Sequence, residues 1–357
     1  MRYPVLASVF LGSLALQTAD PARTSITYEP GEGAGQGRHA VLLAGDEEYR
    51  SEEALPMLAK ILSQRHGFRT TVLFSVDADG TIDPKNGRSL SNPAALDTAD
   101  AVIMALRFRA WPDEDMARLE RHLLSGKPIV ALRTSTHAFA GFPKDSRWAS
   151  WNYNHEGGFG KRVLGETWLT HWGRHKIEGT RGVVEDGQRD HPLLRSVANV
   201  FGDTDVYEAY PPDDATILMR GIVLQTLSPD APPAAYVKRR ATDNVEQDVN
   251  TPPMPIAWTR LHRSASGATS RILTTTMGSA TDLENEGLRR LVVNGVYWSL
   301  GLDVPARADV AFVDPYEPSF YGFDGFRKGL RASDFELGKR VPGVPLPKPR
   351  STPPAKG

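Results

Sequence analysis

Short apolar runs that alternate with helical patterns most constrain how this chain can fold. Each run is long enough for a buried strand and too short for a core helix. Helical spacing begins at about residue 52 and again at about residue 113, and Gly67 and Gly126 are placed to end these two helices. The alternation predicts an α/β fold with a parallel sheet covered by helices on both faces. The four apolar runs are residues 39–45, 68–76, 100–106 and 128–132.

Polar residues follow three of the predicted strands at the point where each strand ends. They occupy residues 46–50, 107–109 and 133–137. Because parallel strands point the same way, we expect these segments to meet at one edge of the sheet, where open α/β folds bind ligands. The alternatives are that the acids and hydroxyls cap the next helix and that the arginines form salt bridges with the acids. The candidate substrate-contacting residues at this edge are Asp46, Glu48, Tyr49, Arg107, Arg133 and Thr134.

Four histidines are candidates for chemistry. His137 follows the strand at 128–132, where a side chain that titrates near neutral pH can act as a general acid or base. His171 and His175 are four residues apart, so on a helix they would share one face. Together with His155 or a carboxylate they would make a divalent metal site with an open position. No helical pattern surrounds them, and the alternative is that they contact substrate or are satisfied structurally.

The segment 142–175 is rich in Trp, Gly and His and has no clean periodicity. Large aromatic side chains are costly to expose, so this segment is expected to form an ordered wall of a pocket in which Trp172 contacts substrate. Asp46, Glu48, Asp205 and Glu208 could supply carboxylates, and paired acidic groups suit glycoside chemistry; Glu208 is the candidate catalytic carboxylate. No cofactor is expected apart from the divalent metal that the histidines would hold.

Composition excludes several classes of function. The chain has no cysteine, which rules out disulfides, thiolate nucleophiles and sulfur-ligated zinc. Its 42 Lys and Arg residues balance 43 Asp and Glu residues, so nothing favours nucleic-acid binding. Arg2 precedes an apolar stretch at residues 5–16, which predicts an export signal over residues 1–22. We therefore expect a secreted or periplasmic protein without stable membrane insertion.

The rest of the chain predicts one large domain with extensions at both ends. A β-hairpin is expected near residues 255–277 and a last helix at about residues 282–300. The sequence does not determine the oligomeric state. The predicted parts are a loose leader at residues 23–37, the domain at 38–302, an extended Gly- and aromatic-rich segment at 303–340, and a disordered Pro-rich tail at 341–357.

An ordered set of motifs runs through the domain: HAVLLAG at residues 39–45, GKPIVALRTSTHAF at 126–139, FGKRVLG at 159–165, THW at 170–172, PIAWTR at 255–260, TTTMG at 274–278 and LVVNGVYW at 291–298. In this combination the chain resembles the ThuA-like (trehalose-utilisation) proteins of the class I glutamine amidotransferase-like superfamily. The resemblance implies a flavodoxin-like three-layer α/β/α fold with a mostly parallel central sheet. Amidotransferases of this superfamily use a cysteine at the turn that matches residues 133–137, so the absence of Cys excludes glutamine hydrolysis by a thiolate.

The resemblance also implies a role in the catabolism of carbohydrates, notably oxidised (keto) disaccharides. We therefore expect a small carbohydrate ligand and an activity that hydrolyses, cleaves or isomerises a keto-glycoside. His137 would be the acid or base, with His171 and Glu208 as its partners. Wider relatives carry Gly-His after the late strand, whereas this chain has Gly278-Ser279 and so lacks one potential catalytic histidine. The alternative expectation is a non-catalytic sugar-binding or scaffold module.

Overall fold

The computed structural model describes residues 24–340, so the predicted export signal at 1–22 and the Pro-rich tail at 341–357 lie outside the described residues. The helices are α1 (Ser51–His66), α2 (Asp113–Leu124) and α3 (Glu286–Ser299). None of these helices has the length and apolar content that crossing a membrane requires. The strands are β1 (Ser25–Tyr28), β2 (His39–Gly45), β3 (Arg69–Phe74), β4 (Ala101–Leu106), β5 (Ile129–Leu132), β6 (Thr180–Val184), β7 (Phe201–Gly202), β8 (Ala215–Val223), β9 (Val237–Arg239), β10 (Glu246–Asp248), β11 (Met254–Arg263) and β12 (Thr269–Thr275).

Ten of these strands form one mixed sheet in the order β1-β3-β2-β4-β5-β12-β11-β8-β6-β7. The strands β3, β2, β4, β5 and β12 are parallel to one another, and the remaining neighbours pair antiparallel. The prediction of an α/β fold is confirmed. The predicted mostly parallel sheet describes only the five-strand part, because β11 and β12 form a hairpin that reverses the chain direction. The strands β9 and β10 form a separate two-stranded ribbon.

The parallel strands are buried on both faces, and their side chains alternate between the faces. In β2, Leu42 packs in an apolar cluster with residues of α1 and α3, whereas Val41 and Leu43 pack in a second cluster with residues of α2. Met116 and Leu119 of α2 belong to the buried stripe that the helical spacing predicts. Helices therefore cover the parallel part of the sheet and leave the carboxyl ends of its strands free to form a site.

Both ends of the described chain are built into the domain. Residues 25–28, which the sequence analysis placed in a loose leader, form the edge strand β1 and pair antiparallel with β3. The hydroxyl of Tyr28 donates to the carbonyl oxygen of Phe335 over 2.7 Å, and both side chains are buried. The leader and the extension at 303–340 therefore belong to the same folded unit as the sheet.

Candidate active site

The polar segments that follow β2, β4 and β5 meet at one edge of the sheet, which we call the rim (residues 46–50, 107–109 and 133–137). The hydroxyl of Thr134 donates to Oδ2 of Asp46, which ties the end of β5 to the end of β2. Oδ1 of Asp46 accepts hydrogen bonds from the backbone N–H groups two and three residues further along. Asp46 and Thr134 are therefore used to close the rim, as the capping alternative proposed.

Glu47, which the sequence analysis did not single out, forms salt bridges with two arginines of the rim. One carboxylate oxygen binds Arg107, and the other lies 3.0 Å from Nη2 of Arg109, which is buried. The guanidinium of Arg107 stacks on Phe108, with 4.4 Å between Cζ and the ring centre. These contacts match the salt-bridge alternative, although 17% of the Arg107 side chain remains exposed and available to a ligand.

The buried carboxylate of Asp205 holds three basic side chains, and we call the four residues the Asp205 cluster. Oδ1 accepts hydrogen bonds from Arg133 Nη2 over 3.1 Å and from His175 Nδ1 over 2.9 Å. Oδ2 accepts one from His171 Nδ1 over 2.8 Å. Burial alone would raise the pKa of Asp205, but the charge of Arg133 and the hydrogen bonds from the histidines hold that pKa well below its ordinary value. Asp205 is therefore an anion at neutral pH.

Backbone pairing places the histidines beside Asp205. His171 forms a bridge with Tyr207, and the N–H of Trp172 donates to the carbonyl oxygen of Val206 over 2.7 Å. The helix that would have put His171 and His175 on one face does not form, because this segment is a series of bends and turns. The two imidazoles nevertheless lie side by side, with ring centres 4.5 Å apart.

Arg133 is a fixed charge within the cluster. Its backbone is left-handed (φ 42°), which turns the chain at the end of β5. Its guanidinium lies between the rings of Tyr207 and Tyr49, with Cζ 3.7 and 4.7 Å from the ring centres. Nη1 also donates to the carbonyl oxygens of Asp205 and Thr276, each over 2.7 Å. With these contacts made and 1% of its side chain exposed, Arg133 orients Asp205 and does not clamp a ligand directly.

His175 lies between two carboxylates. Its Nδ1 donates to Asp205, and its Nε2 lies 3.0 Å from Oε1 of Glu48. Burial lowers the pKa of His175, but the hydrogen bonds to Asp205 and Glu48 outweigh burial, so this pKa is raised above its ordinary value. The protonated form of His175 is therefore favoured, and Glu48 belongs to the histidine network.

The pKa of His137 is shifted in the opposite direction to that of His175. Only 3% of the residue is exposed, and burial with the charges of Arg107, Arg133 and His171 holds the pKa of His137 well below its ordinary value. The imidazole is therefore neutral at physiological pH and has a free ring nitrogen that can accept a proton, but the low pKa makes it a weak base. Its ring neighbours are Phe108, Trp168, Tyr153 and Tyr207, with centres 5.2, 5.3, 6.3 and 6.3 Å away.

Trp168 connects His137 to the Asp205 cluster. Its ring centre lies 5.3 Å from that of His137 and 5.7 Å from that of His171, and its side chain is partly exposed. Phe108 and Tyr153, on the other sides of His137, are also partly exposed. Three partly exposed aromatic rings thus surround the buried imidazole of His137. Trp168 lies in the aromatic segment that sequence reasoning selected, but no local pattern distinguished it from Trp172.

Three predicted site residues lie elsewhere. Trp172 is fully buried and donates from Nε1 to the carbonyl oxygen of Val249 over 2.9 Å, so it belongs to the core. The carboxylate of Glu208 accepts from the N–H of Ala241 and so anchors a loop. His155 is exposed and lines a separate surface cavity, so it is not part of the Asp205 cluster.

The C-terminal extension supplies one side of the site. The ring of Tyr321 stacks on that of Tyr49 with centres 5.1 Å apart and lies 5.6 Å from that of His175. The Tyr321 hydroxyl donates to the carbonyl oxygen of Asp203 over 2.9 Å. The next N–H, of Gly322, donates to the carbonyl oxygen of Glu48. No sequence pattern linked this distant segment to the rim.

The fold and the site together define a mixed α/β protein with a histidine–carboxylate cluster beside the ends of parallel strands. No protein-family model matches the sequence, and no curated protein matches it significantly. Similar solved structures include a ThuA-like protein from Parabacteroides merdae ATCC 43184 (TM-score 0.45, 13% identity, 75% of this chain and 92% of that chain). They also include a ThuA-like protein from Bacteroides uniformis ATCC 8492 (0.44, 15%, 76% and 95%) and the mmIFT52 N-terminal domain (0.35, 12%, 75% and 99%). Two of these three carry the family name that the sequence motifs suggest.

Proposed function

We propose that this chain is a secreted or periplasmic ThuA-like enzyme of flavodoxin-like three-layer architecture that processes a keto-glycoside or keto-disaccharide by proton transfer. The observation that carries the proposal is the buried anion of Asp205, paired with two histidines that remain partly exposed. His171 and His175 keep 33% and 24% of their side chains accessible. An oriented imidazole beside a buried carboxylate is a common arrangement for general acid–base catalysis.

The acid and the base are assigned from the environments of the histidines. Surroundings that push two titratable groups in opposite directions separate the two roles. His137 is kept neutral and takes the proton from the carbon beside the keto group. His175 is kept protonated, and with the adjacent His171 it stabilises negative charge on the keto oxygen as that proton leaves. The resulting enolate can then take the proton back from His137 at the former keto carbon to give an isomer, or expel the glycosidic oxygen, which leaves as a hydroxyl group with the proton that His137 holds.

The partly exposed aromatic rings fit a sugar ligand. Phe108, Tyr153 and Trp168 present ring faces and edges around His137, and sugar rings pack well against such apolar surfaces. Arg107 stacks on Phe108 and keeps 17% of its side chain exposed, so its guanidinium can bind hydroxyl groups. The ligand would therefore lie across the rim with its reacting carbon over His137.

The proposal is tested by assaying purified protein against oxidised and unoxidised disaccharides. We expect turnover of an oxidised disaccharide, and a fall of about 100-fold or more in kcat for His137→Gln, since general base catalysis contributes about that much. His171→Gln serves as a second variant if His137→Gln folds poorly. His155→Ala, a histidine outside the site, is the matched control and should retain full activity.

Wild-type turnover that is unchanged in folded His137→Gln and His171→Gln would remove the proposed roles. Sugar binding without any turnover would favour the alternative function, a non-catalytic sugar-binding module.

A further inference from the structure

We propose that His171, His175 and Asp205 bind one divalent transition-metal ion. One potential ligand atom from each residue lies within 4.8 Å of the other two. The inference goes beyond the proposed function, because metal binding needs no sugar and is measured without turnover. An ion bound here would displace the proton that Nδ1 of His175 otherwise donates to Asp205.

The distances between the side chains fit a shared ion. The Nδ1 atoms of His171 and His175 lie 2.8 and 2.9 Å from the carboxylate oxygens of Asp205. Two ligand atoms that each lie about 2.1 Å from an ion at a right angle are about 3 Å apart. Neighbouring ligands of a six-coordinate ion therefore have nearly the separation that these pairs show.

The type and placement of the ligands also favour a metal. Two imidazoles and one carboxylate on one side of an ion, with open positions opposite, form a set that divalent iron and related metals occupy. Asp205 lies at the buried end of the cluster, whereas both imidazoles reach solvent. An ion bound there would keep open positions toward the outside, where a ligand oxygen could coordinate.

The surroundings of His175 provide an independent observation. Histidines that ligate metals usually donate their other ring N–H to a carboxylate, which fixes the orientation of the ring. The Nε2 of His175 makes this contact with Glu48 over 3.0 Å, while its Nδ1 faces Asp205. Arg133 donates to Oδ1 of Asp205, the oxygen that also faces Nδ1 of His175, and so acts as an outer partner of the carboxylate. The cluster therefore has an inner set of three ligands and an outer set of two residues.

The test uses the full-length protein, stripped with a chelator and titrated with Zn²⁺ or Co²⁺ alone. We expect one ion per chain by calorimetry and elemental analysis, and visible absorption from bound Co²⁺. His171→Ala should weaken binding by about 100-fold or more, and Glu48→Gln by about 10- to 100-fold, as measured for outer partners. His155→Ala should bind like the wild type. Asp205→Asn provides a further loss-of-ligand variant if it folds.

The two proposals fail in different ways. Absence of stoichiometric binding by the wild type, or equal binding by folded His171→Ala, would overturn the metal site. Turnover that persists after complete chelation would also count against a catalytic ion while leaving the proton-transfer function intact. Stoichiometric binding that depends on His171, in a protein without sugar turnover, would support the metal site and remove the proposed function.

Discussion

Asp205 and Glu52 are both fully buried acids, and their pKa values are shifted in opposite directions. Asp205 receives hydrogen bonds from Arg133, His171 and His175, and its pKa lies well below the ordinary value. Glu52, at the start of α1, has no hydrogen-bond partner for either oxygen within residues 24–340. Burial, and then the charge of Glu53, raises the pKa of Glu52 to about 8. Burial removes the charge from a carboxyl group unless partners retain it.

Glu53 is an intermediate case. Its carboxylate accepts hydrogen bonds from the backbone N–H and the hydroxyl of Ser319, over 2.6 and 2.7 Å. Burial nevertheless raises the pKa of Glu53 above its ordinary value, since these two donors and the charge of Arg50 offset burial only in part. Of these three acids, only Asp205 has a lowered pKa, and it is the one in direct contact with a buried cation, Arg133. A buried carboxylate that keeps its charge is a better marker of a functional site than burial alone.

The largest effect is expected for Asp205→Asn. Removal of this charge leaves the guanidinium of Arg133 buried without its anion, which costs about 3–5 kcal/mol in the free energy of unfolding. Urea denaturation measures the loss. The control is Asp243→Asn at an exposed ion pair, which should change stability far less. A loss for Asp205→Asn no larger than that of the control would show that Arg133 is compensated by its carbonyl contacts alone.

Glu52→Gln is expected to stabilise the protein, and the gain should grow with pH. Between the ordinary carboxyl pKa and the folded value of about 8, the folded state keeps a proton that the unfolded state releases, so wild-type stability falls as pH rises. Glutamine cannot ionise and removes this slope, which gives a gain of about 2–4 kcal/mol at pH 8 and little at pH 5. Thermal unfolding at the two pH values measures it, with Glu246→Gln as an exposed control. An equal gain at both pH values would mean that packing and not ionisation is responsible.

A smaller effect, a loss of stability, is expected for His175→Gln. The folded pKa of His175 is raised by Asp205 and Glu48, so its stabilising contribution is complete below the ordinary histidine pKa and is lost as pH rises through the folded value. The variant should lose about 1 kcal/mol at acidic pH, after allowance for solvent screening, and less at alkaline pH. NMR titration of the imidazole gives the direct check. A folded-state pKa at or below the ordinary value would contradict the charge assignment.

Much of the scaffold could be predicted because its signals are local. The apolar run at 39–45 became β2 with the expected bounds, and the acids that follow Pro112 mark the start of α2. The meeting of the strand ends follows from parallel direction, which requires no knowledge of distant contacts. The hairpin of β11 and β12 was predicted, but the order of β11, β8 and β6 was not, because it depends on pairing between segments far apart in sequence.

The site was predicted less completely because its contacts are not local. Three consecutive acids follow β2, and the turn directs Asp46 to Thr134, Glu47 to the arginines and Glu48 to His175. The sequence alone does not show which way each of these three side chains points. The pairing of residues 171–172 with 206–207 likewise decides that Trp172 enters the core. Asp205 was noted in the sequence only as one of several acids, and its role depends on basic side chains 30 to 72 residues away.

Tyr321 comes from beyond the domain predicted at 38–302, yet it stacks on Tyr49 and lies beside His175. Comparisons between related chains that stop at residue 302 would therefore match scaffolds and omit a side chain that packs against the site. Two such chains could share every strand and differ in ligand preference through their final segment alone. In a protein built this way, selectivity can evolve by exchange of a terminal stretch while the sheet stays unchanged.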